Sequence, residues 1–280
     1  VGEFRMVLRE QLVRLAEKLN LFRESLLYLA GENLETVMPM YTHTQPAQPS
    51  TLGHYLLSMA DVMQRDFQRL MAAEKTVNMS PFGAAAITTT GFPISRERVC
   101  ELLGFSSLCE NSYDSIAASD HMTQFASVMM TMAINLSRFM KDILDWCTME
   151  FAFLRLTDPY VQISSIMPQK RNPGLMINTR AAASDVIGQA QTVILKAHNI
   201  PPGMSDPKSV SANAKLANDT SALLKQFTRV IKALRVNPER ALEELNSDWT
   251  ASQEIADRLM KDHGLPFRIG HHMASRMGSW

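Results

Sequence analysis

The stretch from Ser164 to Pro173 contains the side chains of this sequence that are best suited to catalysis or ligand binding. It reads Ser-Ser-Ile-Met-Pro-Gln-Lys-Arg-Asn-Pro and places two serine hydroxyls, a lysine and a carboxamide close together. Pro168 and Pro173 lack a backbone donor and disfavour a helix, so a loop between helical segments is predicted. Clustered polar groups on a loop are typical of a binding or catalytic site. A plain polar connector between two helices is the alternative.

A second group of polar side chains lies between Pro39 and Pro49. Thr42, His43 and Gln45 stand there among three prolines. Because prolines exclude a helix interior, these side chains are predicted to lie on an extended connector. A histidine in such a connector can donate or accept a proton near neutral pH, or it can be purely structural.

Composition narrows the classes of function. The chain has 280 residues, of which 46% are hydrophobic, as in a soluble globular protein of one elongated domain or two. The 28 basic residues balance 28 acidic ones, so nucleic acid is not an expected partner. No apolar stretch is long enough to span a bilayer, and no membrane partner is expected. Three cysteines without C-x-x-C spacing predict reduced thiols in a cytoplasmic protein.

Long segments with apolar residues at helical spacing make up most of the chain. They predict helices at 3–29, from residue 52 onward, 114–151, 175–197 and 210–234, with the third the longest. Asn237 is predicted to cap a shorter helix that begins at Pro238. No segment has convincing strand alternation, so the fold class is predicted to be all-α. We expect a central helical-bundle domain at 1–235 and a small helical C-terminal domain at 236–280.

In this order, the segments resemble a known family. The run Ser-Ser-x-Met-Pro-x-Lys-x-Asn-Pro at 164–173 resembles the hallmark loop of the aspartase/fumarase superfamily. Tyr-Thr-His-Thr-Gln-x-Ala-Gln-Pro at 41–49 resembles the Thr-His segment of argininosuccinate lyases. Three further motifs, at 78–83, 110–114 and 265–268, extend the resemblance over nearly the whole chain.

This resemblance implies an all-α protein of three domains whose central long helices form the core of a homotetramer. Each active site would take residues from three subunits, bind a small dicarboxylate substrate and use neither metal nor cofactor. The family's N-terminal domain, with a Ser-Arg-Asn motif, is expected to lie upstream of Val1.

The resemblance also implies a reaction, the release of fumarate from an N-substituted aspartate such as argininosuccinate. Removing the proton next to a carboxylate builds a doubly charged intermediate, which fixed positive charge and hydrogen-bond donors stabilise. By resemblance Ser164 is the base, a role that requires a nearby cation and backbone N–H groups. His43 would assist proton delivery to the leaving nitrogen, and the substrate would be bound by Thr42, Ser165, Met167, Lys170 and Asn172.

Two positions depart from the family pattern. Ile163 stands where a glycine usually precedes the serine pair, and Ile177 stands where a glutamate usually pairs with the histidine. The family's Tyr, Gln and Lys run for the amine is replaced by the sequence at 201–208. These departures leave two alternatives open: a related lyase that releases a different amine, and a catalytically silent structural paralogue.

Overall fold

The computed structural model describes residues 1–204, 208–247 and 249–278. The helices of these parts are α1 (Gly2–Gly31), α2 (Leu52–Val77), α3 (Arg96–Leu102), α4 (Ser112–Ala117), α5 (Asp120–Trp146), α6 (Gly174–Ala197), α7 (Val210–Ala233), α8 (Pro238–Ser247), α9 (Ser252–His263) and α10 (Phe267–Gly278). Their strands are β1 (Val37–Thr42), β2 (Gln45–Thr51), β3 (Met79–Ser80), β4 (Ser107–Leu108), β5 (Leu154–Leu156), β6 (Gln162–Ile163), β7 (Arg171–Asn172) and β8 (Leu234–Val236).

The five predicted long helices form the bundle, and the all-α fold class is confirmed. Helix α1 packs against α2 and α7, while α5 packs against α6. Its 30 residues give α1 a length of about 45 Å. The apolar stripe of α1 is fully buried, and Phe22 meets Phe227 of α7 edge to face at 5.6 Å between ring centroids. The helices therefore share one continuous apolar core along their length.

Two ends of this bundle differ in how they are held. One end carries the start of α1, the end of α2, α3, α4 and the start of α5. We call it the arginine-clamped end, because Arg5, Arg9 and Arg96 donate hydrogen bonds there to backbone carbonyls. The opposite end, called the loop end, carries the β1–β2 hairpin and residues 164–173, which we call the Ser164 loop.

At the clamped end, the guanidinium groups satisfy carbonyls at the ends of helices α2 and α3 and in the loops beside them. Arg5, which is 2% exposed, donates to the Thr76 carbonyl at 2.7 Å. Arg9 donates to the carbonyls of Leu103 and Gly104 at 2.9 and 2.7 Å. Arg96 bridges three further carbonyls, at Phe82, Cys109 and Glu110.

The predicted helix at 114–151 is wrong in its bounds. The chain forms α4 first, breaks at Ala118, and begins α5 only at Asp120. Asn111 caps α4 by accepting from the Asp114 amide at 3.1 Å, and the extended ψ of 140° at Ala118 ends it. The longest described helix is consequently α1, with 30 residues against 27 for α5.

The predicted absence of strands is also wrong, most clearly at 37–51. There β1 and β2 pair antiparallel, with Pro39 opposite Pro49 and Thr42 opposite Gln45. The prolines had suggested an extended connector, which is confirmed, but the pairing was not predicted. An isolated two-stranded hairpin leaves each strand one unpaired edge, where a missing donor is tolerated. The other described ladders are only two or three residues long.

Shorter helices follow β8, as predicted. Asn237 accepts from the Arg240 amide at 3.4 Å at the start of α8, and Gly264 ends α9 in the left-handed conformation, with φ 65°. Helix α8 packs against β1, and Gln48 bonds Gln253 at 3.0 Å. Within the described residues, every helix is too short or too polar to cross a membrane.

Candidate active site

The Ser164 loop is a closed hairpin that projects from the loop end. Strands β6 and β7 form its base, with Ile163 opposite Arg171. The Ser164 amide donates to the Lys170 carbonyl at 3.3 Å, and the Lys170 amide donates to the Met167 carbonyl at 3.0 Å. The prediction of a loop is confirmed, and the short ladder gives it a defined shape.

Inside this hairpin, the Ser164 hydroxyl oxygen has two backbone donors. It accepts from the amides of Ile166 at 3.3 Å and Met167 at 3.1 Å. Backbone N–H groups aimed at an oxygen stabilise negative charge on it. The chain therefore places two backbone donors on the Ser164 oxygen, a geometry that ordinary serine turns also show.

The other predicted loop residues are open to solvent. Ser165 and Lys170 are exposed, Met167 is 42% exposed and Asn172 is half-buried. Exposed side chains of this kind are free to meet a ligand or another subunit, because the bundle core does not enclose them. The described structure brings Ser164, Lys170 and Asn172 onto one hairpin, as the sequence predicts.

Thr42 and His43 lie at the tip of the β1–β2 hairpin, at the same end of the bundle. Both are exposed, and the turn places His43 and Thr44 in the left-handed region with φ 52° and 65°. Among the described residues, no hydrogen bond or ion pair joins Thr42 or His43 to the Ser164 loop. The two predicted halves of the site are therefore not bonded to each other within the described part of the chain.

The two departures from the family pattern lie beside the loop. Ile163 is 65% exposed on β6, and Ile177 is 42% exposed in the first turn of α6. Neither side chain offers a charge to His43. The segment at 201–208, which replaces the family's amine-binding run, is only partly described, because Ser205, Asp206 and Pro207 lie outside the described residues.

Sequence reasoning missed one pair of residues at this site. Arg171 forms an ion pair with Asp158, which opens a single 3-10 turn ending at Tyr160. The ring of Tyr160 lies under Arg229 of α7, with the guanidinium carbon 5.5 Å from the ring centroid. The only sequence signal was that Arg171 stands between two residues already assigned to the substrate.

Elsewhere, the described residues offer little competing chemistry. A cavity of 780 Å³ lies between α8 and α9, lined in part by Trp249, Arg258 and His263, and includes none of the predicted site residues. Within the described ranges, no three His, Cys, Asp or Glu side chains are grouped so that they could hold a metal ion.

Comparison with known proteins identifies the family. Residues 2–188 match the protein family described as lyase. The chain belongs to this lyase family, within the aspartase/fumarase superfamily. It is 36% identical over 277 residues to argininosuccinate lyase of Methanothermobacter thermautotrophicus, covering 98% of this chain and 59% of the relative. It is 37% identical over 275 residues to argininosuccinate lyase 2 of Agrobacterium fabrum, covering 97% and 55%.

Solved structures of lyases give the same result for the fold. EDDS lyase in complex with formate superposes with a TM-score of 0.87 at 31% identity, covering 98% of this chain and 55% of that one. A class II fumarase from Schistosoma mansoni, at 18% identity and TM-score 0.80, shares the fold. The chain spans less than two thirds of the length of these relatives. The resemblance inferred from the sequence is confirmed at the level of the family.

Proposed function

We propose that the protein is a carbon–nitrogen lyase, similar to argininosuccinate lyase, which eliminates fumarate from an N-substituted aspartate. The observation that carries this proposal is the Ser164 hydroxyl oxygen, which accepts from the amides of Ile166 and Met167 within a loop that also bears Lys170 and Asn172. The argininosuccinate lyases at 36% and 37% identity support the choice of reaction.

In the proposed mechanism, Ser164 as an alkoxide removes the proton from the carbon next to one carboxylate. The electron pair of that C–H bond moves into the carboxylate, which becomes doubly charged. Lys170 and Asn172 hold this group and offset its charge, with Ser165 and Met167 beside them. The pair then returns to form the carbon–carbon double bond of fumarate as the carbon–nitrogen bond breaks.

The leaving nitrogen takes up a proton as it departs. His43 delivers or orients this proton, and Thr42 bonds a substrate carboxylate. No hydrogen bond or ion pair joins the β1–β2 hairpin to the Ser164 loop within the described chain, and we propose that the two halves meet between subunits of a homotetramer, as the family resemblance implies. The 1–235 bundle would form its core, with 236–280 as a small helical domain. We place this enzyme in the cytoplasm, in arginine biosynthesis, without membrane or nucleic-acid partners.

Fumarate release from argininosuccinate, followed by ultraviolet absorbance with the full-length protein, tests the proposal. We expect Ser164→Ala to abolish turnover while the oligomer measured by light scattering is unchanged. Ser275→Ala, at an exposed serine of α10, is the matched control and should keep wild-type activity. Unchanged turnover in Ser164→Ala would rule out this serine as the base.

A second candidate is a lyase with a different amine product. Ile163 and Ile177 are exposed apolar side chains beside the loop, where the family pattern has a glycine and a glutamate. The similarity to EDDS lyase, at 31% identity, supports a substrate other than argininosuccinate as well. A panel of N-substituted aspartates, compared by kcat/KM, separates the two: a preference for apolar amines favours this candidate.

The remaining alternative is a silent structural paralogue. The same isoleucines motivate it, since Ile177 leaves His43 without a charged partner on α6. Incubation of the full-length protein with fumarate and a panel of amines decides it. Formation of any N-substituted aspartate eliminates this alternative, whereas an intact tetramer that forms none supports it.

A further inference from the structure

Arg171 is the residue through which the Ser164 loop is tied to the rest of the protein. Its guanidinium forms an ion pair with the carboxylate of Asp158. Within the described part of the chain, no other ion pair or side-chain hydrogen bond connects residues 162–173 with another segment. The pair is exposed, at 52% and 85% of the two side chains, so it contributes little to global stability.

Asp158 in turn is held on the bundle. It opens the 3-10 turn that follows β5, and β5 pairs antiparallel with β8 at the end of α7. The Thr157 amide donates to the Ala233 carbonyl at 3.0 Å. Tyr160 at the end of the turn lies under Arg229 of α7. The carboxylate of Asp158 is therefore presented from a rigid element, whereas its partner belongs to an exposed hairpin.

Strand geometry connects this ion pair with the predicted substrate residues. Neighbouring residues of an extended strand point to opposite faces, so Arg171 and Asn172 of β7 face opposite ways. Lys170 continues the pairing by one residue, because its carbonyl accepts from the Ser164 amide at 3.3 Å. Fixing Arg171 toward Asp158 therefore turns both Lys170 and Asn172 to the other face of the hairpin.

We propose that Asp158 and Arg171 are positioning residues of this lyase, which fix the rotation of the Ser164 loop so that Lys170 and Asn172 face the substrate carboxylate. The inference rests on the proposed function, since it presumes that this loop binds substrate. Neither side chain touches the reacting atoms. Their effect on catalysis comes from placing charged groups within the narrow range of geometry that the reaction requires.

The kinetic test uses Asp158→Asn, Arg171→Ala, Arg171→Lys and the double variant Asp158→Asn/Arg171→Ala in the full-length protein. Each loss-of-pair variant should lower kcat/KM about threefold, with kcat reduced and KM raised, because the loop is misplaced in both the bound and reacting states and an exposed pair holds it only weakly. The double variant should be no worse than either single variant. Arg171→Lys should retain most of the activity, since a cation is restored.

Controls separate positioning from folding. The urea midpoint should be the same in all variants, because an exposed pair adds little stability. Asp61→Asn, which removes an exposed carboxylate from α2, should leave kcat/KM unchanged. Losses that multiply in the double variant would overturn the inference, as would unchanged activity in the single variants.

Limited proteolysis tests the pair without relying on activity. Trypsin cleaves after Lys170 and Arg171, and Asp158→Asn preserves both cleavage sites. We expect this variant to be cut there at least about threefold faster than the wild-type protein, because the hairpin opens more often. Equal cleavage rates would overturn the proposed tie. If the wild-type protein releases no fumarate but Asp158→Asn is cut faster, the proposed function is wrong, whereas the role of the Asp158–Arg171 ion pair in holding the loop is supported.

Discussion

The arginine-clamped end and the loop end of the bundle differ in the contacts that hold them in place. At the clamped end, Arg96 alone donates to three backbone carbonyls and to the Ser115 hydroxyl. At the loop end, the Ser164 loop is connected by a two-residue ladder and by the exposed pair of Arg171 with Asp158. Loop carbonyls have side-chain donors at the first end, while the polar side chains of the Ser164 loop are exposed at the second.

The contacts that stabilise the fold and the candidate catalytic residues therefore lie at opposite ends of the bundle. Segments with few contacts open at low free energy, and loops that close over a ligand come from such segments. A substitution at the clamped end should therefore change unfolding, and one in the Ser164 loop should change turnover. The variants below probe this separation in decreasing order of the change that we expect.

Lys170→Met should have the largest effect, confined to activity. Removing the cation from the growing carboxylate charge should lower kcat/KM about a thousandfold, or about 4 kcal/mol. The urea midpoint should not change, because Lys170 is exposed. Lys225→Met, at an exposed lysine of α7, is the control and should keep wild-type kcat/KM. A matching loss of stability in Lys170→Met would break the separation.

Arg96→Met should produce the reverse pattern. The Phe82 and Glu110 carbonyls lose the Arg96 donor, whereas the Cys109 carbonyl keeps the Ser115 hydroxyl, so we expect a loss of about 1–2 kcal/mol in the free energy of unfolding. Arg98→Met on the same helix is the matched control, because its pair with Glu101 is exposed at 61% and 71%. That variant should lose less than about 0.5 kcal/mol by urea titration. Equal losses would show that Arg96 contributes no more to the free energy of unfolding than the exposed Arg98.

His121 makes the clamped end sensitive to acid. Its side chain is 1% exposed, and its ring packs edge to face on Phe4 at 5.8 Å. Burial lowers the pKa of His121 below 6.5, with the charges of Arg5 and Lys208 acting in the same direction and Asp120 against it. Nδ1 lies 3.8 Å from an Asp120 carboxylate oxygen, too far for a normal hydrogen bond, and Nε2 has no hydrogen-bond partner within the described structure.

The sign of the pH effect follows from this lowered pKa. Above about pH 6.5 the imidazole is neutral in both states, and no penalty exists. As the pH falls from there toward the folded-state pKa, only the unfolded chain binds the proton, so the free energy of unfolding drops by up to about 1.4 kcal/mol per pH unit. His121→Phe should flatten this slope in urea titrations, whereas His272→Gln, at an exposed histidine, should preserve it.

Thr44→Gly should have the smallest effect, and it should be stabilising. Thr44 is β-branched and adopts φ 65°, a conformation that costs an L-residue about 1–2 kcal/mol. Glycine relieves this strain but adds freedom to the unfolded chain, so we expect a net gain of about 0.5–1 kcal/mol. Gln45→Gly, at the next residue on β2, should instead lose stability. A loss in both variants would mean that the turn stores no strain.

The long helices were predictable because their apolar spacing is independent of tertiary context. Leu12, Leu15 and Leu19 repeat at intervals that only a helix buries on one side, and all three are fully buried. The split between α4 and α5 was harder to predict. It depends on Asn111 accepting from the Asp114 amide, and the same polar run also fits the first turn of a longer helix.

The loop end was only partly predictable for a related reason. Ser164, Lys170 and Asn172 could be selected by type and spacing, and the structure places them on one hairpin. The pairing of β1 with β2 was not predicted, because main-chain hydrogen bonds form it and the prolines of this segment argue against a strand. The partnership of Arg171 with Asp158 is set by how β7 turns toward a neighbouring segment, and no local pattern encodes that.

Hydrogen transfer to fumarate tests the central claim, that Ser164 handles the proton on carbon. The full-length protein is incubated with fumarate and arginine in deuterium oxide, and the product is analysed by mass spectrometry and proton NMR. We predict that the wild-type protein forms an N-substituted aspartate with a single deuterium on its methylene carbon, the carbon that does not carry the nitrogen. The Ser164→Ala variant should form no such product. Deuterated product from Ser164→Ala at the wild-type rate would contradict the account.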